Sequence, residues 1–241
     1  MERNLLLKTL SEAGLGSRRR LTGMIKQGMV TVNDWVVDDF RFPLDLSQDQ
    51  VRIDGRLVNL NPKKALYLML HKPGGVLSTT RDERGRSTVI NILPEKYRYL
   101  KLYPVGRLDK ESTGLMLLTN DGALTYRLTH PRFEHEKEYL VRFGKWLEPG
   151  EKKKLERGIG LEDGKMHPIA VEAVKTPPFS YRVTMHEGRK RQLRRMFQSL
   201  DYPVLALKRI RLGGLTLGNL REGEVRELSR EEIRGLSRQD G

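Results

Sequence analysis

The stretch Gly106-Arg107-Leu108-Asp109-Lys110-Glu111-Ser112-Thr113-Gly114-Leu115-Met116-Leu117-Leu118-Thr119-Asn120-Asp121-Gly122 decides how this chain is read. Apolar runs flank its polar centre: Leu102 to Val105 leads in, and Leu115 to Leu118 leads out. Short apolar runs bounded by turn residues suit buried strands. Gly106 and Gly114 bracket Asp109, and glycine at such places marks a turn or a close backbone approach. One carboxylate is therefore held on a short connection between two buried strands. Spacing alone leaves two roles open. An Asp between strands commonly caps a turn, but loops on rigid scaffolds also carry chemistry.

The order Gly-Arg-Leu-Asp, a hydroxyl residue, Gly, an apolar run and Thr-Asn-Asp-Gly resembles the pseudouridine synthases, in particular the bacterial ribosomal-RNA branch of the RsuA/RluB type. The resemblance implies that Asp109 is the catalytic carboxylate. The rest of the chain can be read for what that group needs.

The chain has 241 residues, room for one large or two small domains. Its formal net charge of +14 points to a polyanionic partner, nucleic acid before membrane. No apolar run approaches the roughly 20 residues that span a bilayer, and the first residues carry no signal-peptide pattern. There is no cysteine. That excludes disulfides and thiolate metal sites and suits a cytoplasmic protein. The five histidines are scattered, and His130 and His135 lack helical zinc-site spacing, so no metal is expected.

Residues 1–60 read as a small domain. Leu6, Leu10 and Ala13 recur at helical spacing, and Gly14 and Gly16 break the chain. Ser17 suits the N-cap of a second helix, with Leu21, Met24 and Ile25 as its apolar stripe and Gly28 at its end. Hairpins follow around Asn33-Asp34 and Asp54-Gly55. Two short helices, then small strands, with Gly-Leu-Gly-Ser-Arg-Arg at the helix boundary, resemble the S4 RNA-binding domain. The sequence departs from that pattern at Asp34, where the family has Gly. Arg18, Arg19, Arg20 and Lys26 supply the charge that backbone contact with RNA uses.

Asn61-Pro62-Lys63-Lys64 suits a linker, taken here as residues 61–65. Residues 66–241 then form the larger, catalytic domain. Apolar runs at 65–70, 102–105, 115–118, 139–143, 169–174, 181–185 and 203–207 predict strands. Helical patterns fall at 122–129, 148–157, 189–199 and 230–236. This combination predicts an α+β domain on a mixed, mostly antiparallel sheet.

Two further motifs stand in it. Glu136-Lys137-Glu138-Tyr139-Leu140-Val141 alternates polar and apolar as an edge strand would, and Tyr139 alone reads as a half-buried strand residue. The resembled family has Lys-x-Tyr here, which implies that Tyr139 lies against the target base. In Arg189 to Phe197, the stripe Leu193, Met196, Phe197 and Leu200 leaves Arg194 at its flank and Arg195 nearly opposite. The family pairs an apolar residue with a functional Arg, matched by Leu193 and Arg194, whereas Arg191 replaces the usual His. Arg195, Lys190 and Arg191 would meet solvent or RNA phosphate. Residues 181–221 hold ten Lys/Arg against two acids, the main RNA-facing surface.

The reaction so implied isomerises a uridine in ribosomal RNA, free or in a ribosomal assembly intermediate. The glycosidic bond to N1 breaks, the base turns, and the sugar carbon rejoins at C5. It needs neither cofactor nor metal. Asp109 could attack sugar or base, or take a sugar proton, and an adjacent Arg194 would favour its ionised state. The base must leave its helix, and the resemblance implies that Arg107 fills the vacated space. The protein would act as a monomer, without a membrane. Three rivals are weaker. A non-catalytic S4-type RNA-binding protein leaves residues 106–122 unexplained. A glycosidase needs two flanking carboxylates, and Glu111 is the only near partner. A zinc deaminase needs His/Cys ligands.

Overall fold

The computed structural model of the protein describes residues 4–237. Glu2 and Arg3, part of the N-terminal charge, and residues 238–241 of the second domain lie outside the described residues. The chain divides into two compact units, residues 1–65 and 66–241.

The first unit runs β1 (Asn4–Leu5), α1 (Leu6–Glu12), α2 (Arg18–Lys26), β2 (Val30–Val32), β3 (Trp35–Val36), β4 (Pro43–Leu44), β5 (Val51–Ile53) and β6 (Arg56–Leu57). The Ser17 side chain accepts from the Arg20 amide and starts α2. Leu6, Leu10, Leu21 and Ile25 pack on Val30, Val32 and Val51 of the small sheet, ordered β3-β2-β5-β6. The β2–β3 turn places Asn33 at φ +50 and Asp34 at φ +68, both left-handed. Asp tolerates that region because its short side chain can bond locally, and Asp34 accepts from Arg52 Nε at 3.2 Å. The turn therefore keeps its left-handed geometry without Gly.

The second unit contains β7 (Tyr67–Lys72), α3 (Glu95–Arg98), β8 (Tyr103–Pro104), β9 (Thr113–Thr119), α4 (Gly122–Thr129), β10 (Lys137–Arg142), α5 (Pro149–Arg157), β11 (Gly160–Leu161), β12 (Gly164–Lys165), β13 (Ala170–Thr176), β14 (Phe179–Met185), α6 (Gln192–Gln198), β15 (Ala206–Leu212), β16 (Leu215–Thr216), β17 (Val225–Glu227) and α7 (Arg230–Ser237). Its main sheet is ordered β13-β14-β10-β15-β9-β7-β17, with β8 on β9 and β16 on β15. Only the β15–β9 pairing is parallel within this sheet, so it is mixed and mostly antiparallel. Strand residues alternate between faces. Leu68, Leu70, Met116 and Leu118 face one hydrophobic cluster, while Met69, Leu115 and Leu117 face the other. Strand β9 is buried on both sides, which explains its unbroken apolar sequence.

Three boundaries differ from the expectations. Lys137–Arg142 is no edge strand: it lies between β14 and β15, with Tyr139, Leu140 and Val141 all buried. The strand expected at 203–207 runs Ala206–Leu212, because Lys208, Arg209 and Arg211 disguise it as surface. The helix expected at 189–199 begins at Gln192, since Arg191 sits at φ +52 and cannot continue a right-handed helix.

Gly114 shows why a glycine follows the Asp109 loop. Arg209 of β15 pairs beside it, and a Cβ at Gly114 would lie 2.2 Å from the Arg209 carbonyl oxygen. Its φ is +105, closed to side chains. Gly114→Ala should therefore cost at least about 3 kcal/mol. A thermal melt should show a Tm lower by roughly 10 °C; an unchanged melt would contradict this crossing.

Candidate active site

The 106–112 connection is held rigid from below by the end of β7. Lys72 is fully buried, and its Nζ donates to Pro73 O at 2.7 Å, Ser112 O at 2.8 Å and Lys110 O at 3.2 Å. All three ammonium protons thus find acceptors, two of them on the loop. Burial pushes this lysine down to about 8, opposed by the charges of Glu111, Glu222 and Asp109. Ser78 Oγ donates to Leu108 O at 2.7 Å and accepts from Leu108 N at 3.0 Å. The Gly75 amide donates to Lys110 O, and the Ser112 amide to Asp109 O. The backbone on both sides of Asp109 is therefore fixed before any substrate arrives.

Arg194 reaches this loop from α6. Its Nε lies 3.6 Å from Asp109 Oδ2, with side-chain exposures of 13% and 24%. Its other nitrogens donate to Val204 O at 3.0 Å and to Ser112 Oγ at 3.3 Å. Nε itself is buried and makes no hydrogen bond. Burial pulls this guanidinium below its ordinary value, while the Asp109 charge acts the other way. The result is one carboxylate beside one arginine that cannot practically lose its proton. Catalytic contacts are often loose in a free site and tighten with substrate. Leu108, Tyr139 and Leu193 belong to one buried cluster next to this pair. Arg107 is exposed at the rim of a cleft that Tyr139 also lines.

The family model for RNA pseudouridylate synthase matches residues 66–199, which span the loop, Tyr139 and Arg194. The chain belongs to the RNA pseudouridylate synthase family. It is 39% identical to "Ribosomal large subunit pseudouridine synthase B" of Bacillus subtilis (strain 168), over 98% of this chain and 96% of that one. It is 37% identical to the protein of the same name from Vibrio vulnificus, over 96% of this chain and 73% of that one. Among solved structures, "Crystal structure of pseudouridylate synthase" superposes with a TM-score of 0.68 at 30% identity, covering 96% of this chain and 99% of that one.

The remaining candidate residues of this RNA pseudouridine synthase fall into two groups. Arg18, Arg19, Arg20 and Lys26 are exposed on α2, and Lys190 is exposed before α6. Arg191 and Arg195, by contrast, already have acidic neighbours. Arg191 Nη1 lies 3.4 Å from Glu111 Oε2. Arg195 grips Asp163 of the β11–β12 turn with two nitrogens, Nη1 to Oδ2 at 2.8 Å and Nη2 to Oδ1. Arg195 does point away from the core, but it meets a carboxylate rather than open solvent. That correction has a simple cause: helix geometry gives a direction, not what the chain folds into that direction.

Sequence reasoning missed Lys72 and Ser78, and it counted Arg209 in the RNA-facing surface of residues 181–221, whereas Arg209 is buried in β15. The only sign of Lys72 is a charge closing an apolar run before Pro73-Gly74-Gly75. Lys72→Met should leave three carbonyls without their donor, that of Ser112 buried, and cost roughly 2–4 kcal/mol. Thermal melts and turnover should both fall, because the loop loses its tether; an unaltered melt and rate would show that the loop holds itself. Among the described residues, no group of three or more His, Cys, Asp or Glu could hold a metal, and no helix is long and apolar enough to cross a membrane.

Proposed function

We propose that this enzyme converts a uridine of large-subunit ribosomal RNA to pseudouridine, with Asp109 as its catalytic carboxylate. The observation that carries the reading is Arg194 Nε at 3.6 Å from Asp109 on a loop locked by Lys72 and Ser78. Names of relatives that cover almost the whole chain support the ribosomal substrate. The C1′–N1 bond breaks, uracil turns in place, C1′–C5 forms, and the C5 proton leaves while N1 gains one. The exchange is redox-neutral and uses no cofactor.

Asp109 attacks sugar or base, or removes a sugar proton; each route uses the ionised carboxylate. Arg194 supplies its counter-charge, and Leu193 packs beneath the base. Tyr139 stacks on the uracil, which leaves its RNA helix to reach the buried site. Arg107, exposed at the cleft rim, takes the vacated position. The enzyme works as a cytoplasmic monomer on ribosomal RNA or an assembly intermediate. Pseudouridine mapping of large-subunit RNA after incubation with purified enzyme tests the substrate. A new pseudouridine in that RNA is expected; modification confined to other RNAs would refute the assignment.

Residues 1–60 act as an S4-like RNA-binding domain. The exposed arginines of α2 and a separate core support that role. Removing residues 1–65 should weaken RNA binding and flatten its salt dependence, since phosphate contacts release counterions. The rest should stay folded on its own two clusters. An unchanged salt slope would count against contact by Arg18, Arg19, Arg20 and Lys26.

A further inference from the structure

A cleft of about 410 Å³ adjoins the rim residues Arg107 and Tyr139, but neither Asp109 nor Arg194 lines it. Besides Arg189, which is paired with Glu187, its wall holds two cations that the isomerisation does not use. Arg209 is 3% exposed, donates Nε to Leu115 O at 2.8 Å, and has no acidic partner among the described residues. Its Nη2 has no hydrogen-bond partner. Lys137 donates to His135 O at 2.8 Å and His186 O at 2.9 Å, which leaves one ammonium proton. His135, 6% exposed, leaves its Nε2 unpartnered at the same wall.

A bulge creates this arrangement. Tyr139 pairs with Arg209, but Glu138 pairs with Arg211, so Ile210 is the extra residue. Paired residues share a face. Arg211 is thereby turned toward the acids and binds Glu136 at 2.6 Å and Glu138 at 2.8 Å. Arg209 stays on the face of Tyr139 and Lys137. An unbulged ladder would have set Arg211 opposite Lys137 instead. Bulges commonly re-aim side chains beside functional sites. Burial, and then repulsion from Arg209, push Lys137 down to about 8. The Glu187 charge opposes that shift, but Glu187 is paired with Arg189 and not with Lys137. Burying two neighbouring cations with no carboxylate in contact is costly unless an anion joins them.

We propose that this cleft is a phosphate subsite, in which Arg209, Lys137 and His135 hold a backbone phosphate of the RNA strand beside the reacting uridine. The inference rests on RNA being the substrate. A phosphate suits the wall better than a base. It accepts from a guanidinium through two oxygens, and the acids at the rim are partly engaged. Glu187, one of them, already binds Gln192, the His167 amide and Arg189. The subsite would set the register of the strand, as phosphate contacts do, and so decide which nucleotide reaches Asp109.

The cleft carries its own reporters. Four of the five histidines, His130, His135, His167 and His186, line it, and His71 does not. Histidine-selective NMR of the full-length protein can follow titration with a uridine octanucleotide and with its uncharged methylphosphonate analogue. The cleft signals should shift with the first and not with the second, while His71 stays still. In Lys137→Gln, the slope of log affinity against log salt for the octanucleotide should fall by about 0.7, one single-strand phosphate contact. Arg209→Gln should do the same if it folds; Lys137→Gln and the wild-type titration decide the matter otherwise. Cleft signals that ignore the octanucleotide, or move equally with the neutral analogue, would overturn the subsite. Neither measurement needs turnover. Failure to modify any RNA with the shifts intact would sink the functional reading and leave the subsite standing.

Discussion

Asp109→Asn should abolish pseudouridine formation, lowering the single-turnover rate by roughly 10³- to 10⁴-fold, while RNA affinity and the melting curve stay near wild type. The substitution keeps the shape and removes the charge. The fold has little to lose, because the loop is held by its backbone: Lys72 on Lys110 O and Ser112 O, Ser78 on Leu108, and the Ser112 amide on Asp109 O. The Asp109 side chain makes no hydrogen bond among the described residues, and its ionic neighbour Arg194 stands at 3.6 Å. Arg194 keeps its bonds to Val204 and Ser112 in the variant. Rates at saturating enzyme, with filter binding of the same RNA, separate chemistry from affinity. Substantial turnover by the purified variant would remove Asp109 from the reaction.

Arg194→Ala should slow the chemical step by about 10²-fold, whereas Arg195→Ala should leave that step close to wild type. Both are arginines on α6, and an effect of charge alone would make their losses similar. Their surroundings differ. Arg194 is half-buried, faces Asp109 and bonds to Ser112 of the same loop. Its removal leaves the carboxylate without its counter-charge and loosens the loop. Arg195 is bound to Asp163 at the surface, and its loss chiefly frees the β11–β12 turn. Single-turnover rates distinguish them, and equal chemical-step rates would place the wrong arginine in the active site.

Local patterns made much of this fold readable. Leu115 to Leu118 announced a strand because both of its faces are buried. Ser17, the α2 stripe and the Asp54-Gly55 turn are short-range signals that need no tertiary context. The stripe of Leu193, Met196 and Phe197 located Arg194 at the core margin for the same reason. What stayed hidden depends on distant pairing. Lys72 looks like the solvent end of a strand until the loop 38 and 40 residues later supplies its carbonyls. Arg195 looked free because Asp163 lies 32 residues away. The charges of β15 hid a central strand, and nothing local to Ile210 signals the bulge that sorts Arg209 from Arg211.

The most direct test of the proposed chemistry uses RNA tritiated at C5 of its uridines and follows label, base and product together. Joining C1′ to C5 must expel the C5 hydrogen. The wild-type enzyme should therefore release one tritium to water for each pseudouridine formed and no free uracil, and Asp109→Asn should release neither. Free uracil without pseudouridine would mean that the glycosidic bond is hydrolysed rather than remade, and tritium release that persists in folded Asp109→Asn would contradict the role given to that carboxylate.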